Sequence, residues 1–356
     1  MSEFLASRYA SLDVYTPGEQ PQDRKYIKLN TNESPYPPSQ AVLDAVSRNE
    51  VADLRLYSDP ACRVLTEKLA ARYQVKPENV YLSNGSDDIL NFSFMAYASD
   101  GGKVAYPDIS YGFYPVYAKL HNADSLVIPL EEDFSVDYRR YCHLDRMVVL
   151  ANPNAPTGRC LPVSEIEEIV KSNPKNVVLI DEAYIDFGGE SCLPLIHTYP
   201  NLLVVRTFSK SRSLAGARLG FALGNKALID DLNRLKFSTN PYNVNRLTLL
   251  AGAAAIDSDE YFFANSKRIV ETRAKTTIGL EALGFEVLPS CANFIFAKHP
   301  RLNGEELYRE LKARGVLVRH FASPRICDYN RITIGSENEM ETFLSIVREI
   351  LTEKGV

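Results

Sequence analysis

The chain has 356 residues, of which 45% are hydrophobic and 24% are charged, so it can bury a large core and is longer than most single domains. Its formal net charge of −5 gives no overall attraction to nucleic acid or to an anionic membrane. The six cysteines form no CxxC motif and no Cys/His pair at metal-ligand spacing. This pattern predicts reduced thiols and no metal site.

The N-terminal sequence, MSEFLASRYASLDVY, has no charged segment that leads into a long apolar run. No stretch of about 18 apolar residues occurs anywhere else in the chain. We therefore expect a soluble, cytoplasmic protein that does not enter a membrane.

Short apolar runs rich in β-branched residues recur through the middle of the chain and predict buried strands. They are NVYLS (79–83), KVAYP (103–107), SLVIPL (125–130), RMVVLA (146–151), NVVLID (176–181), NLLVVRTFS (201–209) and RLGFALG (218–224). These runs are apolar throughout, and helical segments lie between several of them. Both features favour an α/β fold in which helices cover a mainly parallel sheet.

Helical signals and a change in the pattern of predicted helices and strands divide the chain further. Ser164 and Glu167 have the S-x-x-E spacing of a capping box, and we expect helices at about 86–98 and 260–283. From about residue 245 the pattern is typical of a smaller α+β domain. We predict three parts: residues 1–50 form an N-terminal arm and part of the small domain, 51–245 the large domain, and 246–356 the small C-terminal domain.

Small, polar or ionisable residues follow four of the predicted strands. They occupy positions 84–87, 152–158, 181–184 and 206–221. In open α/β sheets, ligands bind beyond the carboxyl ends of the strands. The four segments therefore predict a ligand site at one edge of the sheet.

Two of these segments contain groups that suit a charged heterocyclic ligand. Gly85, Ser86 and Asp87 lie at the start of a predicted helix, where free backbone N–H groups and the helix dipole favour a phosphate; an ordinary helix cap is the alternative. Asp181 closes an apolar strand, and a buried carboxylate needs a cationic or hydrogen-bonding partner. A protonated ring nitrogen would serve, and a structural ion pair or helix cap is the alternative.

Lys210 is the one lysine of RTFSKSRSLAGARLGF (206–221), which contains no carboxylate. A lysine that attacks aldehydes must be partly deprotonated, and nearby cations and desolvation lower the pKa of its amine. A basic loop that binds nucleic acid is disfavoured, because the stretch lacks exposed aromatic residues and lies in an acidic protein. Arg218 fits an anion clamp. Arg206 and Arg212 either tune the lysine or face solvent.

Taken together, these motifs resemble those of the fold-type I pyridoxal-phosphate aminotransferases, most closely the histidinol-phosphate aminotransferase family. The resemblance covers nearly the whole chain and lies in LNTNESPYPPS, LRLYSDP, LSNGSDD, YPDISYGFYP, NPNAPTG, LIDEAYIDF, RTFSKSRSLAGARLG, NPYNVN, CANFIF and RITIG. It implies a large domain with a mainly parallel seven-stranded sheet, a smaller α+β domain, and pyridoxal 5′-phosphate as the cofactor.

The resemblance also implies roles for individual residues. Lys210 would form a Schiff base with the cofactor and move the proton in the reaction. Asp181 would pair with the ring nitrogen, and Tyr184 would bind the ring's phenolic oxygen. The phosphate-binding residues would be Gly85, Ser86, Asp87, Thr207, Ser209 and Arg218.

Two tyrosines have further roles by the same resemblance. Tyr111 would stack on the cofactor ring, with a plain core aromatic as the alternative. Tyr57 would reach the phosphate of the neighbouring subunit's cofactor, which implies a homodimer. One position departs from the family, which usually has asparagine where this chain has Ala155. Asn154 would then make the missing contact with the ring in place of that asparagine, or Tyr184 would make it without a second residue.

On the substrate side, Arg319 and Arg331 match the arginines that bind the anionic group of the substrate in this family. An exposed strand end is the alternative for Arg319. Tyr15 matches the N-terminal tyrosine that closes over the substrate. The implied reaction is transamination of L-histidinol phosphate with 2-oxoglutarate, which gives imidazole-acetol phosphate and L-glutamate in histidine biosynthesis.

Three other functions remain open at this point. Related sites accept aromatic amino acids, so an aromatic-amino-acid aminotransferase is one alternative. A threonine-phosphate decarboxylase shares the scaffold and breaks a different substrate bond. A binding module that kept the fold without catalysis is the third, and the joint presence of Lys210, Asp181, Tyr184 and Arg218 argues against it.

Overall fold

The computed structural model describes residues 15–356, together with Leu5, Tyr9 and Leu12. Part of the arm predicted over 1–50 therefore lies outside the described residues. The strands are β1 (Ile27–Lys28), β2 (Val80–Ser83), β3 (Lys103–Pro107), β4 (Asp124–Ile128), β5 (Met147–Ala151), β6 (Val178–Asp181), β7 (Leu202–Thr207), β8 (Gly220–Gly224), β9 (Glu286–Val287), β10 (Phe294–Lys298), β11 (Val316–Leu317), β12 (Arg319–His320) and β13 (Asn330–Thr333).

The α-helices alternate with these strands. They are α1 (Gln40–Ala45), α2 (Arg48–Ala52), α3 (Arg63–Tyr73), α4 (Ser86–Tyr97), α5 (Phe113–Leu120), α6 (Val163–Ser172), α7 (Lys226–Thr239), α8 (Arg246–Ile256), α9 (Asp259–Ala282), α10 (Gly304–Ala313) and α11 (Glu337–Lys354). Of the helices that the structure describes, none is both long enough and apolar enough to cross a membrane.

Seven strands form one sheet in the order β2-β8-β7-β6-β5-β3-β4. Strand β8 is antiparallel to both of its neighbours, and the other pairings are parallel. The α/β prediction and the seven-stranded sheet are thus confirmed. Six strands run in one direction, so their carboxyl ends lie at the same edge.

Helices cover both faces of this sheet because successive strand residues point to opposite sides. Val148 and Ile180 pack with Ile166 of α6 on one face. Val149 packs with Ile89 of α4 on the other. All residues of β5 to β8 are buried, which explains why their sequences are apolar throughout.

A second, antiparallel sheet has the order β12-β13-β10-β9, and β1 pairs with β11 as a separate parallel pair. The larger sheet ends before residue 245 and the four-stranded sheet begins after it. The division into domains at 50/51 and 245/246 nevertheless stays a prediction. The pairing of Ile27 with Val316 attaches the N-terminal segment to the C-terminal part of the chain.

The predicted capping box was wrong. Helix α6 has Pro162 as its N-cap and no side-chain cap, so Ser164 already lies inside the first turn. A capping box is present instead at α11, where the Ser336 N–H donates to Glu339 Oε2 over 2.8 Å. The helices predicted at 86–98 and 260–283 are confirmed as α4 and α9 to within one residue at each end.

Arg206 and Arg212 do not face solvent: they are buried and fix the segment that contains Lys210. The Arg206 guanidinium binds Glu182 Oε2 through Nη2 at 2.8 Å and through Nε at 3.0 Å. Arg212 donates to Asp259 Oδ1 at 2.6 Å and to the Ala255 carbonyl at 2.7 Å. The lysine segment is therefore tied at one end to β6 and at the other to α8 and α9.

Glu182→Gln should destabilise the fold by about 3–5 kcal/mol, because it removes the nearer of the two carboxylates beside the buried Arg206 charge and leaves only Asp186, at 3.8 Å. The side chains of Arg206 and Glu182 are 10% and 0% exposed. Urea unfolding measures the change. Lys226→Ala, which breaks the exposed pair with Asp230, is the control and should change stability by less than about 1 kcal/mol. Equal effects in the two variants would contradict a stabilising role for the buried pair.

Candidate active site

Two adjoining cavities lie at the carboxyl edge of the seven-stranded sheet. The inner cavity has a volume of about 410 Å³ and the outer cavity about 640 Å³. Tyr111, Ala155, Tyr184 and Lys210 line both. Of the other predicted residues, the inner cavity is lined by Ser86, Asp87, Asp181, Thr207, Ser209 and Arg218, and the outer by Tyr15, Arg319 and Arg331.

Asp181 ends β6 and is 5% exposed. Its Oδ1 accepts the Ala183 N–H at 3.1 Å, and its Oδ2 accepts the Tyr114 hydroxyl at 3.3 Å. Burial raises the pKa of this carboxyl to about 7, and the nearby negative charge of Asp87 adds to the shift. Among the described residues, no cation forms a salt bridge with Asp181. The site therefore holds a buried carboxylate that still needs a positively charged partner.

Lys210 lies near the start of the connection between β7 and β8, three residues after β7 ends. Its Nζ donates to the Thr31 carbonyl at 3.3 Å and lies 5.6 Å from the centre of the Tyr184 ring. Within the described part of the chain, no carboxylate pairs with this amine, because the nearby Glu33 pairs with Lys28 at 2.7 Å. The amine is thus available to a ligand in the inner cavity.

Tyr184 has a partner that the sequence analysis did not find. The Asn32 side chain donates to the Tyr184 hydroxyl oxygen at 2.9 Å, and the Thr333 hydroxyl fixes the Asn32 amide by donating to its Oδ1 at 2.9 Å. Since the tyrosine oxygen accepts this bond, its own hydrogen is free for a ligand. The sequence offered one indication of this contact, namely the polar residue Asn32 in the motif LNTNESPYPPS. In the structure Asn32 has a left-handed φ of +55°.

The structure does not bring Asn154 to either cavity. Its amide group is occupied by three neighbours, since it accepts from Ser110 and donates to the Ile109 carbonyl and to Thr157 Oγ1. Asn152 is likewise engaged with Leu161. At position 155, where the family usually has asparagine, the methyl group of Ala155 forms the cavity wall. Tyr184, oriented by Asn32, is the polar group that remains beside it.

The start of α4 forms a cup at the inner cavity. Gly85 has a φ of +83°, and a Cβ there would lie 2.6 Å from Arg218 Nη2. On the other side, a Cβ on Gly220 would lie 2.4 Å from the Ser86 backbone nitrogen. Glycine at both positions therefore allows the free N–H groups of α4 and the Arg218 guanidinium to converge on one point.

The other polar groups of the cup have defined partners. Thr207 Oγ1 accepts the Ser209 N–H at 3.1 Å, and the two hydroxyls lie 2.9 Å apart. Asp87 accepts from Arg218 Nη2 at 2.8 Å and from the Tyr111 hydroxyl at 2.6 Å. A carboxylate repels a phosphate, so the Asp87 side chain is suited to positioning Arg218 and Tyr111 rather than to binding the anion itself.

Arg319 and Arg331 are opposite one another on the paired strands β12 and β13. The Arg319 guanidinium donates to the carbonyls of Pro17 and Thr16, and Arg331 Nη2 donates to the Asn30 carbonyl at 2.9 Å. Neither has a carboxylate partner in the described ranges. Burial lowers the pKa of Arg331, and its Nε has no hydrogen-bond partner. Two adjacent unpaired guanidinium groups make the outer cavity a site for an anion.

Tyr15 and Tyr57 occupy very different positions. Tyr15 lines the outer cavity, where its ring stacks on Phe113 with centres 4.0 Å apart and lies 6.4 Å from Tyr111. Tyr57 lines neither cavity. It is 82% exposed and stacks on Tyr242 at 4.6 Å.

The inner cavity fits the group that the sequence resemblance implies, pyridoxal phosphate. Asp181 would meet a protonated ring nitrogen, the amine of Lys210 would meet the aldehyde, and the free hydrogen of Tyr184 would meet the phenolic oxygen. The cup between Gly85 and Arg218 is suited to the phosphate. Within the described residues, Asp181 has no cationic partner and Lys210 no carboxylate partner, which is the pattern expected of a cofactor site.

Comparisons with known proteins agree with this geometry. The family model described as aminotransferase class I and II matches residues 24–347. The histidinol-phosphate aminotransferase of Brachyspira hyodysenteriae is 49% identical over 99% of both chains. That of Marinomonas sp. is also 49% identical, over 98% of this chain and 100% of the relative.

A solved structure shows the same fold at lower identity. The histidinol-phosphate aminotransferase of Sinorhizobium meliloti, determined in complex with pyridoxal-5′-phosphate, superposes with a TM-score of 0.86 over 98% of this chain and 99% of that one, at 22% identity. From the family model and the full-length relatives, the chain belongs to the aminotransferase class I and II family and, within it, to the histidinol-phosphate aminotransferases.

Proposed function

We propose that this protein is a pyridoxal-phosphate-dependent aminotransferase that acts on L-histidinol phosphate and 2-oxoglutarate, giving imidazole-acetol phosphate and L-glutamate in histidine biosynthesis. The observation that carries the proposal is the unpaired guanidinium pair of Arg319 and Arg331, which lines the same cavity as Lys210. The relatives that are 49% identical have the same activity in their names. We further propose that the protein acts in the cytoplasm.

In this proposal the cofactor is held by groups of the inner cavity. When bound, pyridoxal phosphate supplies an aldehyde and an electron-withdrawing ring. Backbone N–H groups at the start of α4, with Ser209, Thr207 and Arg218, bind its phosphate. Tyr111 lies against the ring, and its hydroxyl is fixed by Asp87 at 2.6 Å.

Three side chains handle protons. Asp181 holds a proton on the ring nitrogen, because the buried carboxylate is stabilised as an anion only beside a cation. Lys210 Nζ would hold the cofactor through its aldehyde, and the same amine would serve as the base for the proton on the substrate α-carbon. Tyr184 donates its hydroxyl hydrogen to the phenolic oxygen, while Asn32 fixes the orientation of that hydroxyl.

The outer cavity serves both substrates of the exchange. Arg319 and Arg331 bind the phosphate of histidinol phosphate in one half-reaction and a carboxylate of glutamate or 2-oxoglutarate in the other. Tyr15 covers the cavity and excludes water from it. Because the two substrates use the same arginines, they bind in turn rather than together.

We also propose that the active unit is a homodimer in which Tyr57 reaches the phosphate of the neighbouring subunit. The support is that Tyr57 is largely exposed and stacks on Tyr242, and that other exposed apolar residues lie near these two in the sequence; exposed apolar residues that occur together mark interaction sites. With Tyr57, the exposed apolar residues of this group are Leu54 (50% exposed), Leu56 (47%), Val64 (64%), Phe237 (51%) and Tyr242 (43%).

Purified protein with pyridoxal phosphate should transfer the amino group of histidinol phosphate to 2-oxoglutarate. Arg331→Lys should raise KM for histidinol phosphate at least about tenfold, because a lysine cannot bind the phosphate through two parallel hydrogen bonds. Arg301→Lys, outside both cavities, is the control and should leave KM unchanged.

Other outcomes of the same assay identify the alternatives. Transfer from phenylalanine but not from histidinol phosphate would make the protein an aromatic-amino-acid aminotransferase, and release of carbon dioxide from threonine phosphate would make it a decarboxylase. Lys210→Ala should lose the visible absorbance band of the bound cofactor. If that band persists and no amino acid is transformed, the protein is a binding module.

Asp181→Asn should stabilise the cofactor-free protein at pH 8 and destabilise the cofactor-bound protein. The pKa of Asp181 is raised from 3.8 to about 7 in the folded state, so the folded protein binds more protons than the unfolded chain between these values. This contribution to stability is present below pH 3.8 and is lost as the pH rises through about 7. The gain at pH 8 should be roughly 2–4 kcal/mol, measured by urea unfolding. The same pH dependence in both cofactor-free proteins would contradict the prediction.

Subunit mixing tests the homodimer. The Lys210→Ala homodimer should be nearly inactive. The Tyr57→Ala homodimer should bind the cofactor weakly. In a mixed dimer, the Tyr57→Ala subunit keeps Lys210 and receives Tyr57 from its partner, so co-expression should recover activity. Sedimentation measures the dimer itself. A monomeric active protein, or a mixed dimer without recovered activity, would refute the shared site.

A further inference from the structure

Two cysteines from distant parts of the sequence contact each other outside both cavities. Cys160 lies in the loop between β5 and α6, and Cys291 precedes β10. The two side chains lie close enough for the Cys160 thiol to act as the proton donor toward the Cys291 sulfur. The backbone holds this contact in place, because the Cys291 N–H donates to the Gly158 carbonyl at 2.8 Å.

The backbone of Gly188 and Gly189 passes directly beside the two cysteines. A Cβ on Gly189, which has a φ of +85°, would lie 2.9 Å from Cys160 Sγ. A Cβ on Gly188 would lie 3.1 Å from Cys291 Cα and 3.2 Å from its Cβ. The absence of side chains at these glycines is what lets both cysteines occupy the same small space.

The surroundings favour a negative charge on Cys291. The hydrogen bond from Cys160, together with the positive charges of Arg273 and Arg159, lowers the pKa of the Cys291 thiol to about 6 against the effect of its burial. The same hydrogen bond raises the pKa of Cys160. Arg159 pairs with Asp133. Arg273 donates to the carbonyls of Phe187 and Ala292 and has no carboxylate partner among the described side chains.

The four other cysteines lack this combination. Cys62 and Cys192 are buried, and burial raises the pKa of each. The thiols of Cys142 and Cys327 donate to the carbonyls of Tyr138 and Pro324 instead of contacting another thiol. Cys160 and Cys291 are both partly exposed, so a small solute can reach them.

We propose that Cys160 and Cys291 form a redox-reactive dithiol site, in which a hydroperoxide oxidises Cys291 and Cys160 then closes a disulfide with it. The site joins the loop that follows β5 to the segment that precedes β10. It lies outside the cavities and does not depend on the proposed transamination.

The chemistry balances with one equivalent of peroxide. The Cys291 thiolate attacks an oxygen of hydrogen peroxide; an S–O bond forms, the O–O bond breaks, and hydroxide leaves and takes up a proton to become water. The Cys160 sulfur then attacks the resulting sulfenic acid. An S–S bond forms, the S–O bond breaks, and the oxygen leaves as water with the Cys160 proton. Two thiols are oxidised and one peroxide is reduced to two waters.

The crosslink would restrain a part of the active-site wall. The loop from β5 to Cys160 contains Ala155 and Pro156, which line the outer cavity. Its shape depends on Asn154, whose N–H donates to the Arg159 carbonyl at 2.8 Å. A disulfide at Cys160 would therefore fix this loop to the chain that leads into β10.

The test treats the full chain, saturated with pyridoxal phosphate, with one equivalent of hydrogen peroxide. Free thiols are then blocked with N-ethylmaleimide under denaturing conditions, and peptides are analysed by mass spectrometry without reduction. Two of the six cysteines should escape blocking, and a linked peptide should join Cys160 to Cys291. Cys327→Ser is the matched control and should give the same linked peptide.

Two further variants separate the steps. Cys160→Ser keeps a hydrogen-bond donor but cannot form the disulfide, so Cys291 should accumulate as a sulfenic acid that dimedone traps. Cys160→Ala removes the donor, and the pH midpoint for alkylation of Cys291 by iodoacetamide should rise above the value of about 6 expected in the unchanged protein. Circular dichroism checks that both variants fold.

Three results would overturn the proposal. In the first, Cys160 and Cys291 remain open to blocking after peroxide treatment. In the second, they react no faster than Cys142, which is also partly exposed. In the third, a folded Cys160→Ser protein yields no dimedone adduct at Cys291.

Discussion

The common edge of six strands is the constraint on which the site depends. Strands β2, β5, β6 and β7 run in the same direction and end at that edge, and antiparallel β8 begins there. Gly220 pairs with both Ser83 and Thr207. Any side chain at Gly220 would push against the backbone of Ser86. The cup at the start of α4 therefore exists because a residue without a side chain lies where α4 and the sheet approach closely.

The arginines near the site fall into two groups, those paired with carboxylates and those without a carboxylate partner in the described structure. Arg206 and Arg212 are buried and paired with carboxylates, and they hold the lysine segment in position. Arg319 and Arg331 donate only to backbone carbonyls in the described structure, so their charge is left for a ligand. A charge that is already neutralised stabilises the fold, whereas an unpaired one at a cavity attracts an anion. The sequence alone does not distinguish the paired arginines from the unpaired ones.

The position where this chain departs from the family pattern lies beside a tyrosine that is oriented by a distant residue. Ala155 cannot bind the ring, and Asn154 is occupied by its own loop. Asn32 instead orients the Tyr184 hydroxyl from a segment more than a hundred residues away. This contact could not be found by examining neighbours in sequence, because Asn32 and Tyr184 meet only in the folded chain.

The sequence by itself determined the α/β class and the strands, and it predicted Lys210 and Asp181 as reactive groups, since apolar runs and the polar residues at their ends are local features. It could not place the cap of α6, where Pro162 took the position expected of Ser164. Only the tertiary structure decided which arginines are paired, that Asn32 orients Tyr184, and that two remote cysteines touch. These outcomes depend on which side chains share a space, and spacing along the chain does not specify that.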